Sequence, residues 1–279
     1  MNSKNLLFLT ALLLAPLATL HSAGPVAPSA ASPQNTVKMG AAGQGKGLES
    51  LYREMGVSWT YNWRPSAGTA MPAGVEFVPM IWGKKDIPEI DKFATSGAVL
   101  LGFNEPNREK QANMTVEEAL DLWPKLEATN LRLGSPAPSG GGANPGGWLD
   151  RFMAGCQERG YRVDFICLHW YGESYNPDAA TKALKSYLTA VHERYGKPIW
   201  LTEFALRNFK GDPATVAEQQ AFMARVLPML DGLPFVERYS WFVFGAERPS
   251  KPNSWYLLSP GGRLSELGLT YAATGQAAR

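Results

Sequence analysis

The sequence predicts an α/β fold, a (β/α)8 TIM barrel, on three observations. Eight short apolar or β-branched segments recur along the chain, stretches of helical period separate most of them, and together they occupy about 240 of the 279 residues, near the roughly 250 typical of such barrels. Strands alternating with helices imply right-handed parallel crossovers. The rival architecture is an open doubly wound sheet. Its nucleotide-binding form would place a Gly-rich phosphate loop after the first strand, and the sequence has none there.

The chain starts with a segment that does not belong to the fold. Lys4 supplies a basic start, residues 6–20 are apolar apart from Thr10 and Thr19, and Ser22-Ala23-Gly24 offers small residues for cleavage near Ala23. Residues 1–23 therefore read as a secretory signal peptide. The run falls short of the roughly 20 residues that span a bilayer and contains Pro16, so no membrane anchor is expected after cleavage. Residues 24–36, rich in Ala, Pro and Ser, read as a flexible linker. The barrel is expected over 37–279, in a secreted protein, extracellular or periplasmic, acting as a monomer.

The strands are predicted at 38–43, 57–63, 75–82, 98–104, 131–136, 163–171, 198–204 and 236–244. Helices are expected at 47–55, 87–95, 115–129, 148–159, 179–195, 215–230 and 264–273. Asn176-Pro177 reads as a turn, Asp178 as a cap for the helix that follows, and Gly160 and Gly196 as helix ends. Pro124 and Pro228 each predict a kink or break. The second crossover, 64–74, carries Pro65, Gly68, Pro72 and Gly74, so the barrel should be trimmed on that side, its second helix missing.

Composition narrows the function. With 45% apolar and 19% charged residues and a net charge of +2, the chain describes a soluble globular protein without the basic face a nucleic-acid binder needs. Cys156, on a predicted helix, and Cys167, on the next strand, read as two buried thiols rather than a disulfide. With three His they match no zinc spacing, so no metal and no cofactor are expected. The glycine-rich stretch 140–147 lacks the Gly-Lys-Ser/Thr ending of a phosphate loop and reads as a flexible lid or rim. Residues 246–256, with Arg248, Lys251 and Trp255, form a second rim.

The carboxyl ends of barrel strands line the site, and there the chemistry-bearing residues gather. The candidates are Tyr61, Asn62 and Trp63, then Trp82, Asn104 with Glu105, His169-Trp170-Tyr171, Glu203, and Trp241. A strand buried on both faces has no reason to end in a carboxylate unless something uses it, and two strands here do, at Glu105 and Glu203. Two carboxylates make a candidate acid/base pair, which is what glycosidic bond cleavage requires. The bland alternative is a pair of buried salt bridges with Arg. The tryptophans divide between core packing and sugar stacking, and alternation keeps Trp170 off the face shared by His169 and Tyr171 unless the strand is bulged. Asp164 and Glu237, near strand starts, read as structural.

Asn-Glu-Pro after the fourth strand, with a second glutamate after the seventh, resembles the clan A arrangement of retaining glycoside hydrolases. Ser58-Trp59-Thr60-Tyr61-Asn62-Trp63, Gly102-Phe103-Asn104-Glu105-Pro106, Asp164-Phe165-Ile166-Cys167-Leu168-His169-Trp170-Tyr171 and Trp200-Leu201-Thr202-Glu203-Phe204 resemble glycoside hydrolase family 128, a family of endo-β-1,3-glucanases. The likeness runs from about Val37 to the last helix. It implies that Glu105 is the general acid/base, Glu203 the nucleophile and Asn104 the partner of the sugar 2-hydroxyl, with the strand-end aromatics as subsites and a β-glucan as substrate. Asn107-Arg108 departs from the acidic residue common after the motif, as Ala205 does from a glycine. Other readings are a retaining hydrolase of β-mannan, xylan or β-1,4-glucan, a catalytically silent glucan-binding protein, and a metal-dependent hydrolase using Glu105, Glu203 and His169.

Overall fold

The computed structural model describes residues 38–43, 47–90, 98–209, 211–246 and 254–277, and the expected leader and linker lie outside them. In chain order the elements are β1 Met39–Ala42, α1 Ser50–Met55, β2 Trp59–Tyr61, β3 Glu76–Phe77, a 3-10 turn Lys84–Glu89, β4 Val99–Leu100, α2 Val116–Glu127 and β5 Arg132–Leu133. Then come α3 Trp148–Arg159, β6 Ile166–Gly172, α4 Pro177–Tyr195, β7 Ile199–Leu206, α5 Val216–Gly232, β8 Val236–Phe242 and α6 Glu266–Ala277. Six strands form a parallel sheet in the order β3-β2-β1-β8-β7-β6, and β4 pairs with β5. Isolated parallel bridges, Met80 to Leu101 and Gly134 to Phe165, join the two sheets at both seams. Neighbour relations thus run through all eight strands and return to β1, as the alternation predicts.

Side-chain alternation divides the apolar residues between two cores. Trp59, Tyr61, Val78, Met80, Leu101, Phe165, Cys167 and Trp200 fill the barrel interior, while Leu168, Leu201, Phe204, Tyr239 and Trp241 face the helices. The interior is closed at its amino-terminal end. Arg238 lies over the Trp200 ring at 4.4 Å and pairs with Glu76 at 2.6 Å, a cation held against an aromatic face. Glu237 takes Arg132 at 2.8 Å and the Trp200 indole N–H at 2.9 Å, and Asp164 accepts the Leu133 N–H at 2.7 Å. These charges are spent on closing the barrel floor, so chemistry is left to the opposite end.

The helices follow their sequence signals with some corrections. α4 buries Ala180, Leu184, Leu188 and Val191 on one face, each fully buried aliphatic chain contributing about 1.5–3 kcal/mol over exposure. α2 and α5 both begin in capping boxes, Thr115 with Glu118 and Thr215 with Glu218, and left-handed Gly160 and Gly196 end α3 and α4. Asn176, not Asp178, caps α4, accepting the Ala179 N–H at 2.9 Å. Pro177 is pre-set for the first helical position, which moves the cap two residues earlier. Neither Pro124 nor Pro228 ends its helix. Buried Trp123 and Leu126, and buried Leu227 and Leu230, flank them, and that packing carries the helical path across the missing N–H.

No helix occupies the second crossover, so the barrel is trimmed where its prolines and glycines predict. Of the helix expected at 87–95, the 3-10 turn is described and residues 91–97 lie outside the described residues, as do 247–253 of the second rim. The lid expected at 140–147 is instead a clamped turn: the Gly142 N–H donates to the Tyr187 hydroxyl at 3.2 Å and its carbonyl accepts from Tyr195 at 2.9 Å. Cys156 and Cys167 are free and buried, and burial pushes the Cys156 thiol up to about 12.

Gly102, just after β4, lies close against the backbone that follows β5. A Cβ there would stand 2.9 Å from backbone atoms of Gly134, Ser135 and Pro136, which cannot yield as a flexible side chain would. Gly102→Ala is expected to lower stability by about 1–3 kcal/mol. Thermal unfolding of both proteins checks this, and an unchanged Tm would contradict it.

Candidate active site

Strand β4 delivers Asn104 and Glu105 through a turn anchored on both sides. The Asn104 N–H donates to the Trp82 carbonyl at 2.9 Å and the Glu105 N–H to the Ala137 carbonyl at 2.8 Å. Glu105 adopts a left-handed backbone with φ 41°, a conformation that disfavours any side chain and persists at sites where neighbours over-determine it.

Strand β7 delivers Glu203 through an irregularity. Leu201 pairs with Leu168 but Glu203 with His169, and on the other side Leu201 pairs with Tyr239 and Phe204 with Trp241. Thr202 is therefore an extra residue, a β-bulge. Its carbonyl accepts from the Tyr61 hydroxyl at 3.1 Å and from the Ser240 hydroxyl, and its own hydroxyl donates to the Leu168 carbonyl at 3.2 Å. From Trp200 inside the barrel, plain alternation would turn Thr202 inward and Glu203 out towards the helices. The bulge reverses this.

Neutral donors surround the Glu203 carboxylate. The Trp63 indole N–H donates to Oε1 at 2.7 Å, the Tyr61 hydroxyl approaches the same oxygen at 3.3 Å, and the Tyr171 hydroxyl donates to Oε2. Burial first, and the Glu203 charge second, hold both phenols well above their usual value of 10, so they stay protonated. His169, fully buried, sits between the two acids, with Nδ1 3.0 Å from Glu105 Oε1 and Nε2 3.5 Å from Glu203 Oε1. Burial lowers the affinity of His169 for its proton, but the charges of Glu203 and Glu105 and the Glu105 hydrogen bond outweigh it and raise the pKa above 6.5. One oxygen of Glu105 lies within 4.8 Å of one oxygen of Glu203. These three groups are also compact enough to be weighed as a metal site, but the Glu203 oxygens are already taken by N–H and O–H donors.

The carboxylates open into a cleft of about 940 Å³ whose walls include Trp63, Trp82, Asn104 and Tyr171. Tyr61 and His169 are buried against the carboxylates. Three of the expected site residues are elsewhere. Asn62 ties its own loop, donating to the Ser66 carbonyl at 3.1 Å and accepting the Arg64 N–H at 3.2 Å. Trp170, between two inward-facing residues, points outward and stacks on Phe222 of α5 at 5.8 Å. Trp241 is wholly buried in the outer core, 5.1 Å from Phe204, with its N–H on the Trp255 carbonyl at 2.9 Å. Its neighbour Phe242 lines the cleft instead. The rim also holds Arg207, whose guanidinium lies over Phe209 at 4.4 Å and Trp255 at 4.8 Å, and no local motif announces it.

Two carboxyl groups this close can work on one bond, one giving a proton to the departing oxygen while the other attacks the carbon. Fold and site together define a glycoside hydrolase. Residues 40–271 match the family model described as the glycosyl hydrolase catalytic core. A family 128, subgroup I endo-β-1,3-glucanase from Amycolatopsis mediterranei, solved with laminaritriose, is 46% identical with a TM-score of 0.79, covering 85% of this chain and 99% of that one. A subgroup II endo-β-1,3-glucanase from Sorangium cellulosum is 33% identical with a TM-score of 0.69, covering 85% and 98%. Alkali-sensitive linkage protein 1 of Schizosaccharomyces pombe is 32% identical over 234 residues, 81% of this chain. The match spans only 42% of that protein's length. The chain belongs to glycoside hydrolase family 128.

The position of His169 carries a pH signature. Its proton is held more tightly in the folded chain, so its contribution to stability is complete below pH 6.5 and is lost as pH rises through the higher folded value. The Tm difference between wild type and His169→Asn is expected to narrow as pH rises from about 5 to 9. A difference that is constant or widens over that range would refute the placement of charge.

Proposed function

We propose that the chain is a secreted endo-β-1,3-glucanase that hydrolyses laminarin- or curdlan-like β-1,3-glucan with retention of configuration. The observation that carries the stereochemistry is the separation of the two acids. Glutamate oxygens within 4.8 Å of each other suit a retaining enzyme, whose carboxyl groups stand about 5–5.5 Å apart, better than an inverting one, whose groups stand about 6.5–9.5 Å apart.

In the first half-reaction a Glu203 oxygen bonds to the anomeric carbon as the glycosidic C–O bond breaks, and the Glu105 proton passes to the leaving oxygen. In the second, Glu105 takes a proton from water, the water oxygen bonds to the anomeric carbon, and Glu203 leaves as a carboxylate. Trp63, Tyr61 and Tyr171 suit Glu203 to the ionised role because each donates without adding charge. Asn104 is buried and its Oδ1 has no hydrogen-bond partner among the described residues, which fits it for the sugar 2-hydroxyl. Trp63 and Trp82 offer flat walls for pyranose faces.

The linkage follows from the relatives, which act on β-1,3-glucan and bind laminari-oligosaccharides. Secretion is read from the signal peptide expected at 1–23, and no described helix is long and apolar enough to cross a membrane. The enzyme would act as a monomer, without cofactor or nucleic-acid partner.

Proton NMR of laminari-oligosaccharide hydrolysis is expected to show the β-anomer first, and an initial α-anomer would overturn the retaining assignment. Glu105→Gln is expected to lower kcat on laminarin by about 10²–10⁴-fold. Activity on cellulose or mannan with none on laminarin or curdlan would replace the substrate. Intact mass of the exported protein is expected to place its first residue at Gly24.

A further inference from the structure

Trp63 occupies an unusual position for a cleft aromatic. Its backbone is left-handed, φ 59°, where a bulky side chain is strained by about 1–3 kcal/mol. Asn62, just before it, spans that residue by accepting the Arg64 N–H and donating to the Ser66 carbonyl. The ring is further fixed edge-on against Tyr61 at 5.4 Å and Phe242 at 5.9 Å. All of this aims one atom: the indole N–H points at Glu203 Oε1, 2.7 Å away. A sugar platform needs a ring face and no such aim.

We infer that Trp63 is a positioning residue for the nucleophile, a neutral donor that fixes the orientation and ionised state of Glu203 through a backbone held strained by Asn62. The inference rests on Glu203 being the nucleophile. The other groups facing Glu203 are Tyr61 from β2, His169 and Tyr171 from β6, and Glu105 at the end of β4. Like the two phenols, and unlike His169 and Glu105, indole neither gains nor loses a proton in the working range of the enzyme. It donates to the carboxylate at every pH and competes for no proton. The hydrogen bond also leaves Oε2 with the Tyr171 hydroxyl, so each carboxylate oxygen has its own donor and the plane of the group is set.

The test compares wild type with Trp63→Phe and with a protein carrying β-(3-benzothienyl)alanine at position 63, which keeps the shape of the ring and replaces N–H by sulfur. Losing a hydrogen bond to a charged group is expected to lower kcat on laminarihexaose about 10–100-fold, with KM changed less than about threefold. The acid limb of kcat/KM is expected to rise by about one pH unit in both variants. The isostere removes the donor without a cavity, so its behaviour decides the question if Trp63→Phe folds poorly. An isostere with wild-type kcat, or with an unmoved acid limb, overturns the inference, and a raised KM with kcat unchanged makes Trp63 a sugar platform alone. Formate rescue of Glu203→Ala is read separately. Failure of rescue refutes Glu203 as nucleophile whatever the Trp63 variants do.

Discussion

A β-strand turns its side chains to alternate faces, so whether Glu203 looks into the barrel or out at the helices depends on the count of residues between it and Trp200. Thr202 changes that count by one. Its carbonyl and hydroxyl are taken by Ser240 and Leu168 from the neighbouring strands β8 and β6 and by Tyr61 from β2 across the barrel, so the irregularity is held from both sides. Everything else at the carboxyl-terminal end presupposes it. The donors from β2 and β6 converge on a point inside the barrel, and only a bulged β7 puts a carboxylate there.

Once inside, the acids face a second constraint. Oxygens of the two glutamates lie within 4.8 Å of each other, and acid-assisted displacement asks different work of the two groups, a proton from one and attack from the other. Which acid suits which role is a matter of neighbours. Glu203 has three neutral donors, whereas Glu105 has the shared imidazole of His169 and an outlet to the cleft. Indole and phenol orient the Glu203 carboxylate without adding charge.

The sequence makes the architecture legible because period and length are averaged over whole elements: eight apolar segments with interposed helices survive errors of a residue or two at each end. Glu105 and Glu203 are legible for the related reason that a carboxylate closing an apolar strand is locally anomalous. The tryptophans are not. Trp170 and Trp241 lie as close to strand ends as Trp63 and Trp82, yet one-residue parity sends the first two into the outer core. Trp170 is decided by alternation with His169 and Tyr171, a constraint visible in the sequence. Asn62, by contrast, is a loop staple because of Ser66, and no periodic signal reports a four-residue polar loop. Arg207 is placed by the rings of Tyr171 on β6, of Phe209 two residues along the chain and of Trp255, a grouping that exists only once the strands are assembled.

The missing helix of the second crossover has a consequence for how the molecule breathes. β2 and β3 share only two paired positions and are shielded by a loop, whereas β6 to β8 lie under the long helices α4 and α5. Local opening in a protein starts where buried contacts and protected hydrogen bonds are fewest. One such place in this barrel is the segment carrying Tyr61 and Trp63, while Glu203 sits on the well-shielded half. Warming would therefore separate the carboxylate from two of its donors before the fold as a whole gives way, so that catalytic competence and global cohesion have different ceilings.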